Sequence, residues 1–226
     1  MHIVILAAGR GSRLGNLDYP KALTPLTSDQ TIFDRQVSLL KKQFPKASIV
    51  VVVGYRKELI MQQYSQLNFV ENDNYAHENT AKSLLKALKN ISDDVLWLNG
   101  DVVFHPSVLN KFIKKTSMFV NEGTVGEEEV KFRRGADGLI KEISKEVKQG
   151  EGEAVGINYF LSSDIELLKK ALDACSDKDY FEKAIEICIK NGMQVLPVTI
   201  PRDHCAEIDF PEDLEHARHL IQSWTI

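Results

Sequence analysis

Two continuous apolar runs, IVILA at 3–7 and IVVVV at 49–53, and the strand-like DVLWL at 94–98, apolar after its first residue, constrain this chain more than any other feature. A strand with one face in water alternates apolar and polar residues, whereas a run apolar throughout has both faces covered. Between these runs the spacing turns helical. Residues 31–43 place Ile32, Val37, Leu39 and Leu40 at helical intervals, and 80–90 set Leu84, Leu85 and Leu88 on one face. Residues 57–64 read as a short helix and 68–70 as a short strand. Buried strands alternating with helices mean βαβ units and a largely parallel sheet with helices on both sides.

The pattern changes in the second half. Residues 129–133 and 139–144 flank Ala136-Asp137-Gly138, which reads as an antiparallel hairpin closed by an Asp-Gly turn. A strand at 154–160, helices at 164–174 and 179–190, and a strand at 194–198 follow. A short strand at 206–209 leads to a last helix, whose start holds Pro211, Glu212 and Asp213, residue types suited to a first turn. The expected fold is α/β: a Rossmann-like, three-layer α/β/α arrangement with a mixed, mostly parallel sheet and a small β-hairpin insertion. A chain of 226 residues can bury one good core, so a single domain over 1–226 is expected.

Composition removes several classes of function. Net charge is −4 and the densest charge run, Glu127-Glu128-Glu129, is acidic, which argues against a nucleic-acid partner. No apolar run approaches ~18 residues and the start MHIVILA lacks a basic n-region, so no membrane insertion and a cytoplasmic location are expected. Cys175, Cys188 and Cys205 are odd in number and lack CxxC spacing, which speaks for reduced thiols, two of them on helices. His216 and His219 lie one turn apart on the last helix, a spacing that serves a metal or an ordinary surface pair. Nothing in the chain determines an oligomeric state.

The chemistry starts where the first strand ends. Gly9-Arg10-Gly11-Ser12-Arg13-Leu14-Gly15 leaves its carboxyl end, the edge at which open α/β sheets bind ligands. Glycines let successive backbone N–H groups turn towards one anion, and Arg13 and Lys21 add charge. A Walker A loop requires a Gly-Lys pair that is missing. A dinucleotide fingerprint requires its third glycine one place earlier and an acid closing the second strand, where Gly54-Tyr55-Arg56 stands. A phosphate loop of another kind is the remaining reading. Asp101, after a buried strand and Gly100, and Asp209, before the last helix, are candidate metal ligands. Each also has a local alternative, Asp101 bonding its own turn and Asp209 capping the helix.

LAAGRGSRLG followed by PKAL resembles the signature of the sugar-phosphate nucleotidyltransferase family. The likeness continues through VVVGY, NDNYAHENTAKSL, LNGDVVF and AEIDFPEDLEHA, and is strongest to small members that use CTP with phosphocholine, inositol 1-phosphate or similar phosphates. The chain departs from the pattern at TPLTSDQTIFD, where a glycine is usual. The resemblance implies transfer of CMP from CTP to a phosphorylated small alcohol, amino alcohol or sugar, with release of pyrophosphate and Mg²⁺ as cofactor. The product would be an activated head group for a surface polysaccharide, lipid or similar glycoconjugate.

By resemblance, residues 1–104 form the nucleotide half and 105–226 the acceptor half. Arg13 would contact the leaving β- and γ-phosphates and Lys21 the α-phosphate and acceptor, while Asp101 and Asp209 would hold the metal. Leu6, Ala7, Ala8, Gly9, Gly11 and Ser12, with Asn79, Thr80 and Ser83, would surround the nucleotide. Asn79 or Thr80 also suits a helix N-cap. Lys145 and Glu153 would line the acceptor side, or else form a solvated pair at a hairpin edge. Tyr75, Phe132, Tyr159, Tyr180 and Phe181 are the aromatics open to caging a quaternary ammonium, though Tyr180, Phe181 and Trp97 read first as packing. Uracil or thymine as the base stays open, as does a hexose 1-phosphate acceptor. A catalytically silent nucleotide-binding relative is the alternative from another class.

Overall fold

The computed structural model describes residues 1–224. In chain order its elements are β1 (His2–Ala7), α1 (Ile32–Gln43), β2 (Ser48–Val53), α2 (Lys57–Gln63), β3 (Asn68–Glu71), α3 (Thr80–Leu88) and β4 (Val95–Asn99). There follow β5 (Val102–Phe104), α4 (Ser107–Asn110), β6 (Ser117–Glu122), β7 (Lys131–Arg134), β8 (Ile140–Ser144) and β9 (Gly152–Phe160). The chain closes with α5 (Ser162–Ala174), α6 (Phe181–Lys190), β10 (Leu196–Thr199), β11 (Cys205–Glu207) and α7 (Pro211–Ser223).

The main sheet runs β10-β6-β9-β4-β1-β2-β3. Every neighbouring pair is parallel except those involving β9, which lies antiparallel to both β4 and β6. The sheet is therefore mixed but mostly parallel. The β7–β8 hairpin joins it through the first residues of β9, with Gly138 at φ +76° in the Asp-Gly turn. β5 and β11 pair antiparallel as a separate small sheet.

The period of two along each strand sorts the apolar side chains into two layers. Val4, Leu6, Val50, Val52, Val95 and Trp97 face α3, α5 and α6, packing with Leu84, Leu168 and Ile185. Ile3, Ile5, Val51, Val53, Leu96 and Leu98 face the other way, against Phe33, Val37 and Leu40 of α1. This is why three apolar runs need no polar interruptions. A third cluster seats α7, through Ala217 and Ile221, on Leu14, Val103 and Ile208.

Local chemistry sets the ends of the helices. Thr31 caps α1, accepting from the Asp34 N–H at 3.1 Å while Asp34 accepts from the Thr31 N–H at 3.0 Å. The structure adds elements where the sequence reading had none, namely β5, α4 and β6 between residues 102 and 122. β6 occupies a place between β9 and β10 although its segment, SMFVNE, begins and ends on polar residues. Of the cysteines, only Cys188 lies on a helix; Cys175 follows α5 and Cys205 opens β11, and all three are buried and free.

Candidate active site

The carboxyl ends of the parallel strands and the start of the antiparallel β9 meet at one edge of the sheet. A cleft of about 690 Å³ opens there. Its floor begins with the glycine loop after β1. Gly11 has φ +69°, and a Cβ at that position would lie 2.7 Å from the Cβ of Lys21. Glycine at 11 thus lets the loop lie directly against the lysine stem. Pro20, at φ −58°, precedes the short turn of 3-10 helix Lys21–Leu23 that carries the lysine.

Lys21 is only 9% exposed, and its Nζ donates to Asp101 Oδ2 at 2.7 Å and to Asp209 Oδ1 at 2.5 Å. Arg13 Nη1 donates to Asp209 Oδ2 at 3.1 Å. Burial on its own would lower the lysine pKa, but the two carboxylates outweigh it and hold the ammonium above the usual lysine range. Asp101 Oδ1 is buried with no hydrogen-bond partner.

Two tight contacts position the carboxylates. The Gly100 N–H donates to the Leu6 carbonyl at 2.9 Å, and a Cβ on Gly100 would meet that oxygen at 2.8 Å. The turn that presents Asp101 is therefore pressed onto β1. The Ile208 N–H then donates to the Asp101 carbonyl at 3.1 Å, which brings the chain before α7 alongside. The N–H groups of Asp209 and Phe210 donate to the Asp213 carboxylate at 2.9 and 2.7 Å. Asp213 therefore satisfies the start of α7, and the Asp209 carboxylate is left to face the cleft.

Leu6, Ala7, Gly9, Gly11, Ser12, Arg13, Lys21, Asn79, Thr80, Asp101, Lys145, Glu153 and Asp209 all line the cleft. Ala8 and Ser83 do not. Ala8 packs into the core and its carbonyl accepts from the Tyr55 N–H at 3.0 Å. Ser83 is on the buried face of α3, its hydroxyl accepting from Asn72 Nδ2 at 3.0 Å. Asn79 caps α3 through the Thr80 N–H at 2.8 Å and Thr80 Oγ1 accepts from the Phe181 N–H at 3.1 Å, so both shape the helix end as well as the cleft wall.

Sequence reasoning missed Asn99, Asn121, Glu182 and Glu207, all of which line the cleft. Of the aromatics considered for a cage, Phe132, Tyr159 and Phe181 are in the core and Tyr75 packs edge-on to Tyr55. Tyr180 is the member of the group that faces the cleft, 40% exposed, with the Lys145 ammonium 5.5 Å from its ring centre. Glu182 is buried, which pushes its carboxyl up to about 7, and its Oε2 has no partner. Burial also raises Glu153, against the hydrogen bond from Asn121. Enclosure in the cleft, then the charges of Asp101 and Asp209, raise Glu207 above the usual carboxylate range although its side chain opens to the cleft. Among the described residues no group of three or more His, Cys, Asp or Glu is gathered as a metal cluster; Asp101 and Asp209 form a pair. His219 Nδ1 lies 2.7 Å from the Glu215 carbonyl, while His216 reaches the cleft.

A family model described as the MobA-like NTP transferase domain matches residues 3–130, more than half of the chain. The chain belongs to this family. It is a nucleotidyltransferase, and the edge of the sheet that carries its glycine loop is the candidate active site. A UTP–glucose-1-phosphate uridylyltransferase, AglF of Haloferax volcanii, is 26% identical over 100% of this chain and 98% of its own length. Among solved structures, the CTP:phosphocholine cytidylyltransferase LicC of Streptococcus pneumoniae superposes with a TM-score of 0.81 at 21% identity, covering 97% of this chain and 98% of its own. The inositol-1-phosphate CTP transferase of T. maritima gives 0.80 at 20% identity, covering 99% of this chain and 96% of its own. The fold is that of these nucleotidyltransferases. No helix among the described residues is long and apolar enough to cross a membrane.

Proposed function

We propose that the chain transfers CMP from CTP to a phosphorylated small alcohol, amino alcohol or sugar and releases pyrophosphate. The observation that carries this reading is the Lys21 clamp, a buried ammonium between two carboxylates beneath a glycine loop. An oxygen of the acceptor phosphate attacks the α-phosphorus, the bond from that phosphorus to the bridging oxygen breaks, and pyrophosphate leaves with the electron pair. The attacking phosphate is already ionised at neutral pH, so alignment and charge neutralisation matter more than a strong base. Lys21 is placed to meet the α-phosphate, and Arg13, half-exposed at the cleft mouth, the departing phosphates.

The residues present fit Mg²⁺. Two carboxylates converge on one cationic point, and Asp101 Oδ1 is an unpartnered oxygen beside it. Magnesium takes one or two carboxylates and completes its shell with phosphate oxygens and water. Asp101 and Asp209 would hold the ion, which when bound supplies positive charge to the phosphate oxygens. Lys21, which shares both carboxylates with that site, would hold its ammonium beside the ion and next to the α-phosphate.

The choice of CTP is supported by the segment NDNYAHENTAKSL and by the two cytidylyltransferases of like fold. The full-length likeness to a uridylyltransferase favours a second reading, in which UTP and a hexose 1-phosphate are the substrates. Pyrophosphate release, with CTP, UTP, dTTP, GTP and ATP crossed against phosphorylated acceptors, separates them. Turnover with CTP is expected. Turnover with UTP and hexose 1-phosphates instead would transfer the chain to the second reading.

A further inference from the structure

The cleft has more negative charge than metal binding needs. Among the described residues that line it, eight carboxylates stand against the cations Arg13, Lys21 and Lys145. Asp101 and Asp209 take up Lys21 and Arg13, and Asp213 is spent on the start of α7. Lys145 is paired with Glu128 at 3.3 Å. Glu129, Glu153, Glu182 and Glu207 are left without a cationic partner at salt-bridge distance among the described residues. They come from the hairpin side, β9, α6 and β11, so four separate parts of the chain bring acid to one end of the cleft.

Glu182 is the informative member. Its side chain lines the cleft from the first turn of α6 in a residue 8% exposed, and Oε2 meets no donor. Asn121, 4% exposed, lines the same cavity and likewise has an unpartnered buried oxygen, Oδ1. Buried acceptors without donors are costly unless something completes them. Beside them is Tyr180, whose face already receives an ammonium, that of Lys145. Acidic oxygens that lack donors, next to an aromatic face that holds a cation, describe a site for positive charge.

We propose that the end of the cleft bounded by Tyr180, Glu182 and Glu153 binds an ammonium group, so that the acceptor is a zwitterionic phosphate, an aminoalkyl or trimethylammonioalkyl phosphate. This rests on the nucleotidyl-transfer reading above and narrows its acceptor. The phosphate of such a molecule points to Lys21 and the metal carboxylates, and its cationic end to the acidic wall. An acceptor ending in a carboxylate or second phosphate would meet like charge there, and one ending in a neutral polyol would leave the wall unneutralised.

The test compares acceptors of matched size with CTP and Mg²⁺: phosphocholine, its uncharged isostere 3,3-dimethylbutyl phosphate, 2-aminoethyl phosphate, glycol phosphate and glucose 1-phosphate. A cationic acceptor is expected to exceed its neutral counterpart in kcat/KM by on the order of a hundredfold. Tyr180→Leu, at an exposed position, should raise KM for the cationic acceptor about tenfold and leave the KM for CTP unchanged. Glu182→Gln should reduce the preference for charge. Equal or better turnover of the isostere or of glucose 1-phosphate would overturn the inference while leaving the transferase reading in place. If no nucleotide and acceptor pair turns over, that reading fails, and calorimetric binding of phosphocholine against its isostere decides the charge site separately. Selective binding would support it, and equal or absent binding would overturn it.

Discussion

Lys21 and Glu182 show how burial and charge settle the state of a single residue. Both lose solvation, but Lys21 has two carboxylates within 2.7 Å and Glu182 has no partner for Oε2. Lys21 therefore stays cationic across neutral pH; the contribution of its clamp to stability is full below the ordinary lysine pKa and is lost only as pH rises beyond the elevated one. Glu182 is raised for the opposite reason, because burial disfavours its charged form and no partner restores it. Its folded pKa of about 7 lies above the ordinary 4.5, so the native state binds more protons than the unfolded chain between those values and loses stability as pH rises through them. The loss amounts to about 3 kcal/mol at most. Glu182→Gln removes the titration, so urea denaturation should find the variant gaining on wild type from pH 4 to pH 8, both about a unit or less outside that window. A constant difference across that range would show that Glu182 is already ionised or solvated.

At the scale of elements, the site is made by loops that leave rigid strands. The loop after β1 carries Arg13, the turn after β4 carries Asp101, and the segment between β11 and α7 carries Asp209. Gly11→Ala tests the first of these. Its φ of +69° disfavours a side chain, and the added Cβ would push on the Lys21 stem at 2.7 Å. The variant is expected to lose on the order of a hundredfold in kcat while the far-UV circular dichroism of the fold persists. Unchanged kcat would mean that Lys21 does not need its present position. These three segments were legible in the sequence because each follows a strand signal that composition makes plain. β6 was not, because its burial is a tertiary fact: SMFVNE enters the sheet through β9 and β10, far away in the chain. Nor was the acidic wall. Tyr180 and Phe181 are adjacent and aromatic, yet one is 40% exposed in the cleft and the other 1% exposed against Trp97. Only the direction of α6 separates them. Glu182 and Glu207 sit in ordinary amphipathic and strand contexts, and become notable once α6 and β11 bring them to one cavity.

For the whole molecule, the cleft joins the two ends of the chain. Lys21 and Asp209 are 188 positions apart and in direct contact, and the cleft walls come from both halves of the continuous sheet. A nucleotide seated there contacts segments that otherwise meet only at their edges, and a ligand that binds the native state alone must stabilise it. With Mg²⁺ and CTP at about a hundred times Kd, the stabilisation should be about 2.7 kcal/mol. For a chain of this size that corresponds to a rise in Tm of roughly 5–10 °C. Thermal denaturation with each nucleotide in turn checks both the linkage and the choice of base. An equal shift for all five nucleotides would count against selection for cytosine, and no shift for any would count against the glycine loop as a phosphate site.

The most direct measurement is metal-dependent pyrophosphate release by the wild-type chain, Asp101→Asn and Lys21→Met, with CTP and an accepted phosphate at saturation. The cleft geometry predicts turnover that requires Mg²⁺ in the wild type and falls by at least about a hundredfold in both variants, through kcat. Turnover that survives the loss of Asp101 and Lys21, or that proceeds equally well without a divalent ion, would contradict the assignment of this clamp as the catalytic centre.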